Sequence, residues 1–465
     1  MIPVPGVTLW QLPTPGLGDN SYLLRSGEAV AVVDPQRDLD RFEAALAALG
    51  GRLVAVVETH VHNDYVSGGP ALAAAHGAPY LVPAAADYTL AHRPLAEGDE
   101  VEVGAVRLRA LATPGHTAHH TSYAVVAGGA PVALLTGGCV LVGALGRTDL
   151  ISPEATEGLT RQQWRSARRL LALAPAVAIG PTHGRGSFCA ASSGGDQTWT
   201  TVGEERQRNP ALLITDEAAF VAQQLAGLPA YPAYYRQMAP RNRAGQPGWV
   251  PGPVPSLQPA AVEALQRAGG VIVDVRPRRA FAAGHLPGAV SLGLDDDFAT
   301  YLGWLFPLDT RLVLVLEEGQ DATLACRQAA RIGIETIVGT LQGGAEAWAR
   351  SGRPLRRYPV ISFDELSRLR GDGAAVLDVR QDGEWDAGHI PGARHIHVPD
   401  LPARLGELGP GRDGAPPVHV HCAKGYRASL AASLLDGAGI PVVAVDGAFE
   451  EWAAGGHPVS RGAER

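Results

Sequence analysis

The feature that most narrows what this chain can fold into is a repeat in its second half. Val273-Asp274-Val275-Arg276, followed by Gly284-His285-Leu286-Pro287-Gly288-Ala289, returns as Leu377-Asp378-Val379-Arg380, followed by Gly388-His389-Ile390-Pro391-Gly392-Ala393. The copies also end alike: Gln342-Gly343-Gly344-Ala345 precedes Trp348, and Asp446-Gly447-Ala448-Phe449 precedes Trp452. A spacing of about 100 residues is the size of a domain and too long for a solenoid unit. Strand, helix and glycine-rich turn alternate within each copy, which calls for a parallel sheet with helices on both faces. Tandem α/β domains are therefore predicted at 259–357 and 358–465.

Before the repeat, Pro240, Pro247, Pro251, Pro253 and Pro255 crowd the stretch 239–258 together with several glycines. Such a stretch cannot continue a helix or a central strand, so it is predicted to be a semi-rigid linker. The remaining 1–238 form a first domain. Apolar runs at 21–24 and 29–33, a helix predicted at 38–49, and the run Leu53-Val54-Ala55-Val56-Val57 give α/β alternation. Further helices are predicted at 161–173 and 216–225, the second closing the domain with a helical tail. The buried strand at 53–57 exits into Thr59-His60-Val61-His62-Asn63-Asp64-Tyr65. Residues two apart in an extended chain point the same way, so His60 and His62 can offer imidazoles to one cavity with the carboxylate of Asp64 beside them. Two more histidines sit in tight turns, His116 in Thr113-Pro114-Gly115-His116-Thr117 and His183 in Pro181-Thr182-His183-Gly184. A metal site is the reading that this set suggests.

A chain of 465 residues with 46% hydrophobic and 18% charged residues is long enough for about three domains and has the make-up of a soluble globular protein. Its net charge of -8 supplies no basic footprint, so no nucleic-acid partner is expected. No apolar run approaches the roughly 20 residues that span a bilayer, and Met1-Ile2-Pro3-Val4-Pro5 lacks a targeting pattern, which predicts a cytoplasmic protein without a membrane partner. Cys139, Cys189, Cys326 and Cys422 are far apart and make no Cys-x-x-Cys pair, so reduced thiols are expected.

With its three histidine motifs in this order, the first half resembles the metallo-β-lactamase superfamily. The resemblance implies an αββα sandwich with metal ligands on loops at one edge of two sheets. Gly146-Arg147-Thr148-Asp149-Leu150, Gly203-Glu204-Glu205-Arg206 and Asn209-Pro210 look most like the persulfide dioxygenase branch. Carried over residue by residue, the resemblance makes His60 and His116 ligands of one Fe(II). Two departures bear on this. Dinuclear hydrolases of the superfamily place a histidine where this chain has Tyr65, and hydrolases and dioxygenases alike take an aspartate at the place of Gly138. A glyoxalase II-type thioester hydrolase thereby loses both second-site ligands, and the iron triad of two histidines and a carboxylate lacks its third member. The glycine is expected to leave a vacancy the size of a carboxylate, filled by water, hydroxide or the substrate's sulfur. The alternative set is His60, His62 and His116 around zinc or iron, with Asp64 and His183 as outer or occasional ligands. If the site is vestigial, no metal is expected.

Both copies of the repeat resemble rhodanese domains, so the expected fold is an αββα metallo-β-lactamase sandwich followed by two parallel-sheet rhodanese-like domains. In the second copy the strand Val418-His419-Val420-His421 runs into Cys422-Ala423-Lys424-Gly425-Tyr426-Arg427, where a helix begins. A thiolate at a helix start meets peptide N–H groups and the positive dipole end, and Lys424 and Arg427 add formal charge. Cys422 can then attack a sulfane sulfur, carry it as a persulfide and pass it on. Ala423, Gly425 and Tyr426 complete the anion-binding loop. Dual-specificity phosphatases also end a cysteine loop in arginine, but four residues between Cys422 and Arg427 is one fewer than theirs and suits sulfur better. In the first copy Leu316 stands for Cys422, Glu318 for Lys424 and Asp321 for Arg427, so that copy is predicted to be structural or a docking module. Cys326 falls in its predicted helix, as core.

Two functions are expected in competition. One is an enzyme that oxidises a low-molecular-weight persulfide, glutathione persulfide for example, to sulfite while Cys422 exchanges sulfane sulfur with thiosulfate and a thiol acceptor. The other is a thiosulfate sulfurtransferase whose front domain only binds or positions. A homo-oligomer is compatible with either.

Overall fold

In the computed structural model, residues 1–191, 197–370, 373–409 and 415–462 are described. The chain divides into two compact units, Met1–Pro251 with Arg327–Gly333, and Gly252–Cys326 with Ile334–Arg465. The division falls inside the proline-rich stretch.

The first unit contains two six-stranded sheets. One runs Thr8–Thr14, Asp19–Ser26, Ala29–Val33, Arg52–Val57, Tyr80–Pro83, Arg93–Leu95; the other runs Thr200–Thr201, Ala178–Pro181, Ala130–Gly137, Thr121–Ala127, Val106–Ala112, Glu100–Val103. Alternation along each strand builds the layers. Ala31 and Val33 face the core between the sheets with Leu24, Leu108, Tyr123 and Leu135, while Val30 and Val32 face outward against Phe42 and Leu72 of the helices Leu39–Leu49 and Gly69–His76. The other sheet is covered by Pro153–Leu171, Val202–Arg208 and Glu217–Ala226, whose Leu170, Val202 and Phe220 meet Ala124, Leu134 and Ile179. This is the αββα sandwich. Where both faces are covered, as at Ala29–Val33, the strand reads as a continuous apolar run, whereas Glu100–Val103 and Val106–Ala112, each with an exposed face, alternate apolar and charged residues.

Three helices differ from expectation. The one predicted at 161–173 starts earlier, at Pro153, because Ser152 caps it by accepting from Ala155 N and Pro153 is preset for a first turn. The one predicted at 216–225 runs Glu217–Ala226, with Asp216 as its cap. The proline-rich stretch predicted as linker begins inside a helix, Tyr235–Ala244, which passes through Pro240. A proline there deletes one helical hydrogen bond, and buried Tyr235, Met238 and Asn242 anchor the helix on both sides of it.

The second unit holds two parallel five-stranded sheets of the same order. They run Ser256–Leu257, Ile337–Leu341, Leu312–Val315, Val271–Asp274, Val290–Ser291, and Val360–Ile361, Val442–Val445, Val418–His421, Ala375–Asp378, Arg394–His395. The repeated motifs are scaffolding. Arg276 bonds Asp274 and the Gly284 carbonyl, as Arg380 bonds Asp378 and the Gly388 carbonyl. His285 stacks on Phe281 at 4.0 Å and His389 on Trp385 at 3.6 Å, each donating from Nδ1 to the carbonyl of its ring partner. Trp348 and Trp452 donate to the carbonyls of Pro354 and Pro458. Among the described residues, no helix is long and apolar enough to cross a membrane.

Candidate metal centre and thiol loop

The strand Arg52–Val57 ends in a loop held from several sides. Asp34, at φ 53, accepts from Thr59 N and Thr59 Oγ1, both at 2.7 Å, and from Thr182 Oγ1. Thr59 Oγ1 thereby uses its one proton in a hydrogen bond to a carboxylate, so at 2.8 Å it accepts from His60 Nδ1 and leaves His60 Nε2 with a lone pair. His116 is fixed in the same way: Nδ1 donates to the Arg147 carbonyl at 2.7 Å, and Nε2 is buried without a partner. His183 Nδ1 lies 2.9 Å from Asp19 Oδ1 and 3.2 Å from Asp64 Oδ2, with its Nε2 3.4 Å from His60 Nε2. Each Nδ1 is tied back while each Nε2 is turned inward, which is how protein histidines are prepared for a metal.

The structure thus groups His60, His116 and His183, with ligand atoms within 4.8 Å of one another. Two further groups, His62/Asp64/His183 and Asp34/Glu58/His62, meet the same distance. Burial and the neighbouring imidazoles keep His60 and His116 well below the usual histidine range, hence neutral. Burial would also lower His183, but Asp64 and Asp19 outweigh it and raise it to about 9 when no cation competes.

The structure differs from expectation at His62, His183 and Gly138. His62 turns its Nε2 to Glu58 Oε2 at 2.9 Å, the Tyr65 hydroxyl at 3.0 Å and Asp34 Oδ1 at 3.3 Å, so the third histidine beside His60 and His116 is His183. At Gly138 there is no vacancy. A Cβ built there would fall 2.3 Å from His116 Cδ2 and 2.8 Å from its Nε2, so the His116 ring already fills the space where the family's aspartate would start. Cys139 packs in the outer core, and burial pushes its thiol up to about 12.

Several supporting groups carry no recognisable mark in the sequence. Asn242 Nδ2 donates to the carbonyls of His62 and Tyr65, its Oδ1 accepts from Ser67 N, and Tyr234 donates to the Asp64 carbonyl. His120 Nε2 accepts from Gly138 N at 2.9 Å. Gln163 accepts from His116 N and donates to the carbonyls of Gly138 and Cys139. Arg147, 1% exposed, is clamped by Asp149 and by the carbonyls of Phe188 and Pro229, which sets its own carbonyl under His116.

In the second unit, Cys422 follows the strand Val418–His421, and the helix Tyr426–Gly437 opens four residues on. Gly425 N donates to Cys422 Sγ at 3.1 Å. Gly425 stands at φ 93, and a Cβ there would meet Asp446 Oδ1 at 2.6 Å, so the loop requires glycine. Ala423 is half-buried and Lys424 is exposed. Arg427 is not a free cation. Its two terminal nitrogens clamp Glu384 at 2.5 and 2.8 Å; burial opposes the Glu384 charge, but Arg427 holds that carboxylate below its ordinary range. Tyr426 lies 5.6 Å, ring to ring, from Tyr301 of the first copy. In that copy the loop between strand and helix is 316–321, against 422–425 here. Asp321 therefore lies ahead of its helix Ala322–Arg331, whereas Arg427 lies inside its own, and the expected equivalence of the two is corrected.

Residues 14–183 match the Metallo-beta-lactamase superfamily, and residues 258–351 and 362–455 each match the Rhodanese-like domain. A hydroxyacylglutathione hydrolase of Cupriavidus taiwanensis is 32% identical over 279 residues, covering 56% of this chain and 92% of that protein. One of Alkalilimnicola ehrlichii is 38% identical over 170 residues, covering 36% of this chain and only 61% of that protein. A crystal structure of a metallo-beta-lactamase from Staphylococcus aureus, 26% identical, superposes with a TM-score of 0.65 over 72% of this chain and 99% of that one.

Proposed function

Because the chain belongs to the metallo-β-lactamase superfamily and carries two rhodanese-like domains behind that fold, we propose that it is a sulfur-metabolism enzyme. In this reading Cys422 transfers sulfane sulfur, and the front domain oxidises a low-molecular-weight persulfide such as glutathione persulfide to sulfite. The observation that carries the transfer half is the Gly425 N–H, 3.1 Å from Cys422 Sγ at the opening of a twelve-residue helix. That donor and the dipole end behind it favour negative charge on sulfur. The thiolate attacks the outer sulfur of thiosulfate, the S–S bond breaks, and sulfite leaves with the electron pair. An acceptor thiolate then attacks the outer sulfur of the Cys422 persulfide, takes it, and returns Cys422 as thiolate. Lys424, exposed at the loop, draws the anionic donor in, and Arg427, held by Glu384, braces the start of the helix behind the thiol.

In the front domain His60, His116 and His183 would hold one metal ion, and an iron(II) there would supply the redox chemistry that persulfide oxidation by dioxygen requires. The protein's own part is to tie back three Nδ1 atoms, through Thr59, the Arg147 carbonyl and Asp19, so that three Nε2 atoms face one another, and to exclude bulk water from a set that is wholly buried. Zinc is the alternative occupant that three imidazoles suit.

A second reading, thioester hydrolysis, is favoured by the named relatives. Against it, His62 Nε2 is engaged by Glu58 and Asp34, and Tyr65, which stands where a second metal would need a histidine, donates its hydroxyl to the Asp34 carbonyl. A third, transfer alone with a front domain that only positions partners, predicts no oxidation. Three assays on the purified chain separate them: thiocyanate formation from thiosulfate and cyanide, oxygen uptake with glutathione persulfide, and hydrolysis of a glutathione thioester. Transfer with oxygen uptake and no hydrolysis supports the proposal; hydrolysis without oxygen uptake overturns it.

A further inference from the structure

The first rhodanese-like copy has no thiol at its loop, yet its carboxyl-end pocket is open. A cavity of ≈ 380 Å³ lies where the strands of that copy end, at Val275 after Val271–Asp274, Leu294 after Val290–Ser291, and Gln320 after Leu312–Val315. This is the place where open α/β sheets bind ligands, and the size suits a small organic molecule. Tyr426 of the second copy completes the wall.

Most neutral polar groups at the wall are already engaged. Ser291 and Ser429 bond each other at 2.9 Å, Gln320 is tied to the Val275 carbonyl and Glu317 N, and Tyr426 donates to the Gly293 carbonyl. The charged groups are not used up. Among the described residues, Arg278 and Arg279 each bond through Nε alone, to the two oxygens of Asp446 at 2.7 and 2.8 Å, which leaves their terminal N–H groups available. Asp295, on the same wall, accepts only from Asp297 N, at 2.9 Å through Oδ1. Partial desolvation together with the neighbouring Asp297 and Asp296 raises the carboxyl of this exposed residue to about 6, a cost that a cationic partner would relieve. Two guanidiniums that share Asp446 and keep free terminal N–H groups, with a further carboxylate at Asp295, call for a ligand with both charges and an apolar body.

We propose that this cavity binds a small α-amino acid with an unbranched apolar or thioether side chain. Its carboxylate is held by Arg278 and Arg279, its ammonium by Asp295, and its side chain lies along Val275, Leu294 and the Tyr426 ring. The site is separate from the thiol, but Tyr426 directly follows Gly425, whose N–H reaches Cys422. This gives the copy that lost its nucleophile a ligand of its own, and it does not depend on the sulfur-transfer reading.

The test is calorimetric titration of the full chain with L-methionine, which does not react with a thiolate, beside 4-(methylthio)butanoate, which lacks the ammonium, and 3-(methylthio)propylamine, which lacks the carboxylate. One saturable site for L-methionine is expected, with each truncated analogue at least tenfold weaker. The R278A/R279A pair should lose the site. Asp295→Asn keeps the bond from Asp297 N, and should bring the butanoate to within threefold of L-methionine, a selective loss of preference that mere unfolding cannot produce. Absence of saturable heat up to roughly 10 mM L-methionine, ten times a millimolar Kd, would overturn the proposal. So would binding that is undiminished in the double variant, or a preference for the zwitterion that survives Asp295→Asn.

Discussion

Replacing Gly138 by alanine should cost the front domain its metal. The added methyl would lie 2.3 Å from His116 Cδ2, so the ring or the residue 138 backbone must retreat by roughly 1 Å to reach ordinary contact. Neither is loose. His116 is held at 2.7 Å to the Arg147 carbonyl and at 2.8 Å from its own N–H to Gln163, while Gly138 donates to His120 and accepts from Gln163. If the ring tips, His116 Nε2 leaves the point shared with His60 and His183. If the backbone moves, the bond to His120 breaks and the Gln163 support of His116 shifts with it. Losing the orientation of one ligand in three is expected to weaken metal binding about 10- to 100-fold, the range for disturbed metal supports, equivalent to about 1.4–2.8 kcal/mol. The measurement is metal content of the purified protein together with competition against a chromophoric chelator. Gly158→Ala serves as control, because a Cβ at that position in the helix Pro153–Leu171 meets nothing within 4 Å. Metal content and affinity equal to wild type in Gly138→Ala, with an unchanged melting temperature, would refute the reasoning and remove His116 from the ligand set. By the same geometry Gly138→Asp should not simply add a fourth ligand, since its side chain would start inside the His116 ring.

Further outcomes follow from the same contacts. Cys422→Ser should abolish thiocyanate formation while leaving metal content at the wild-type level; transfer at the wild-type rate would exclude Cys422 as the nucleophile. Arg427→Ala and Glu384→Gln both break the clamp beside the thiol loop, and steady-state kinetics should show an increase of several-fold in the thiosulfate KM with a smaller change in kcat. Because Arg427 depresses the Glu384 carboxyl, the clamp's contribution is complete above the ordinary carboxylate range and is lost as pH falls through the depressed value, so the KM increase in wild type should appear only below the ordinary carboxylate range. Asn242→Ala removes three buried hydrogen bonds from the loop that carries His62 and Tyr65, and thermal denaturation should show a loss of about 2–4 kcal/mol with faster metal release to chelator. Removing residues 358–465 should eliminate all transferase activity, and residual transfer would mean that the Leu316 loop has been misread.

What could be read from the sequence is what depends on near neighbours in the chain. The Asp-Val-Arg and Gly-His motifs close on themselves within about ten residues, through Arg276 to Asp274 and the Gly284 carbonyl and through His285 to Phe281, so their recurrence identified both repeats. The histidines also stood out, because imidazoles in tight turns at strand ends have few structural reasons to be there. Their aim was not legible. The two-residue periodicity that places His60 and His62 on one side says nothing of Asp34, far back in the chain, which joins Glu58 in drawing His62 Nε2 away.

The same distinction explains the two misjudged spaces. A glycine in place of a carboxylate suggests an empty volume only if the neighbours stay where the family has them, but a buried site stays close-packed, and here the His116 ring occupies the volume that Gly138 concedes. Without a side chain at 138 the His116 ring has room beside His183, the ring centroids lying 5.1 Å apart, so an aspartate at 138 would compete with that ring for one volume. The proline-rich stretch shows the converse case, where a local rule is overridden from a distance. Pro240 argues against a helix, but the helix through it brings Asn242 to the His62 and Tyr65 carbonyls, and those bonds together with buried Met238 outweigh the one that proline removes. The segment that composition marks as a spacer is therefore, in its first turns, part of the floor of the metal loop, and a domain boundary drawn before residue 239 would cut through the support of the site.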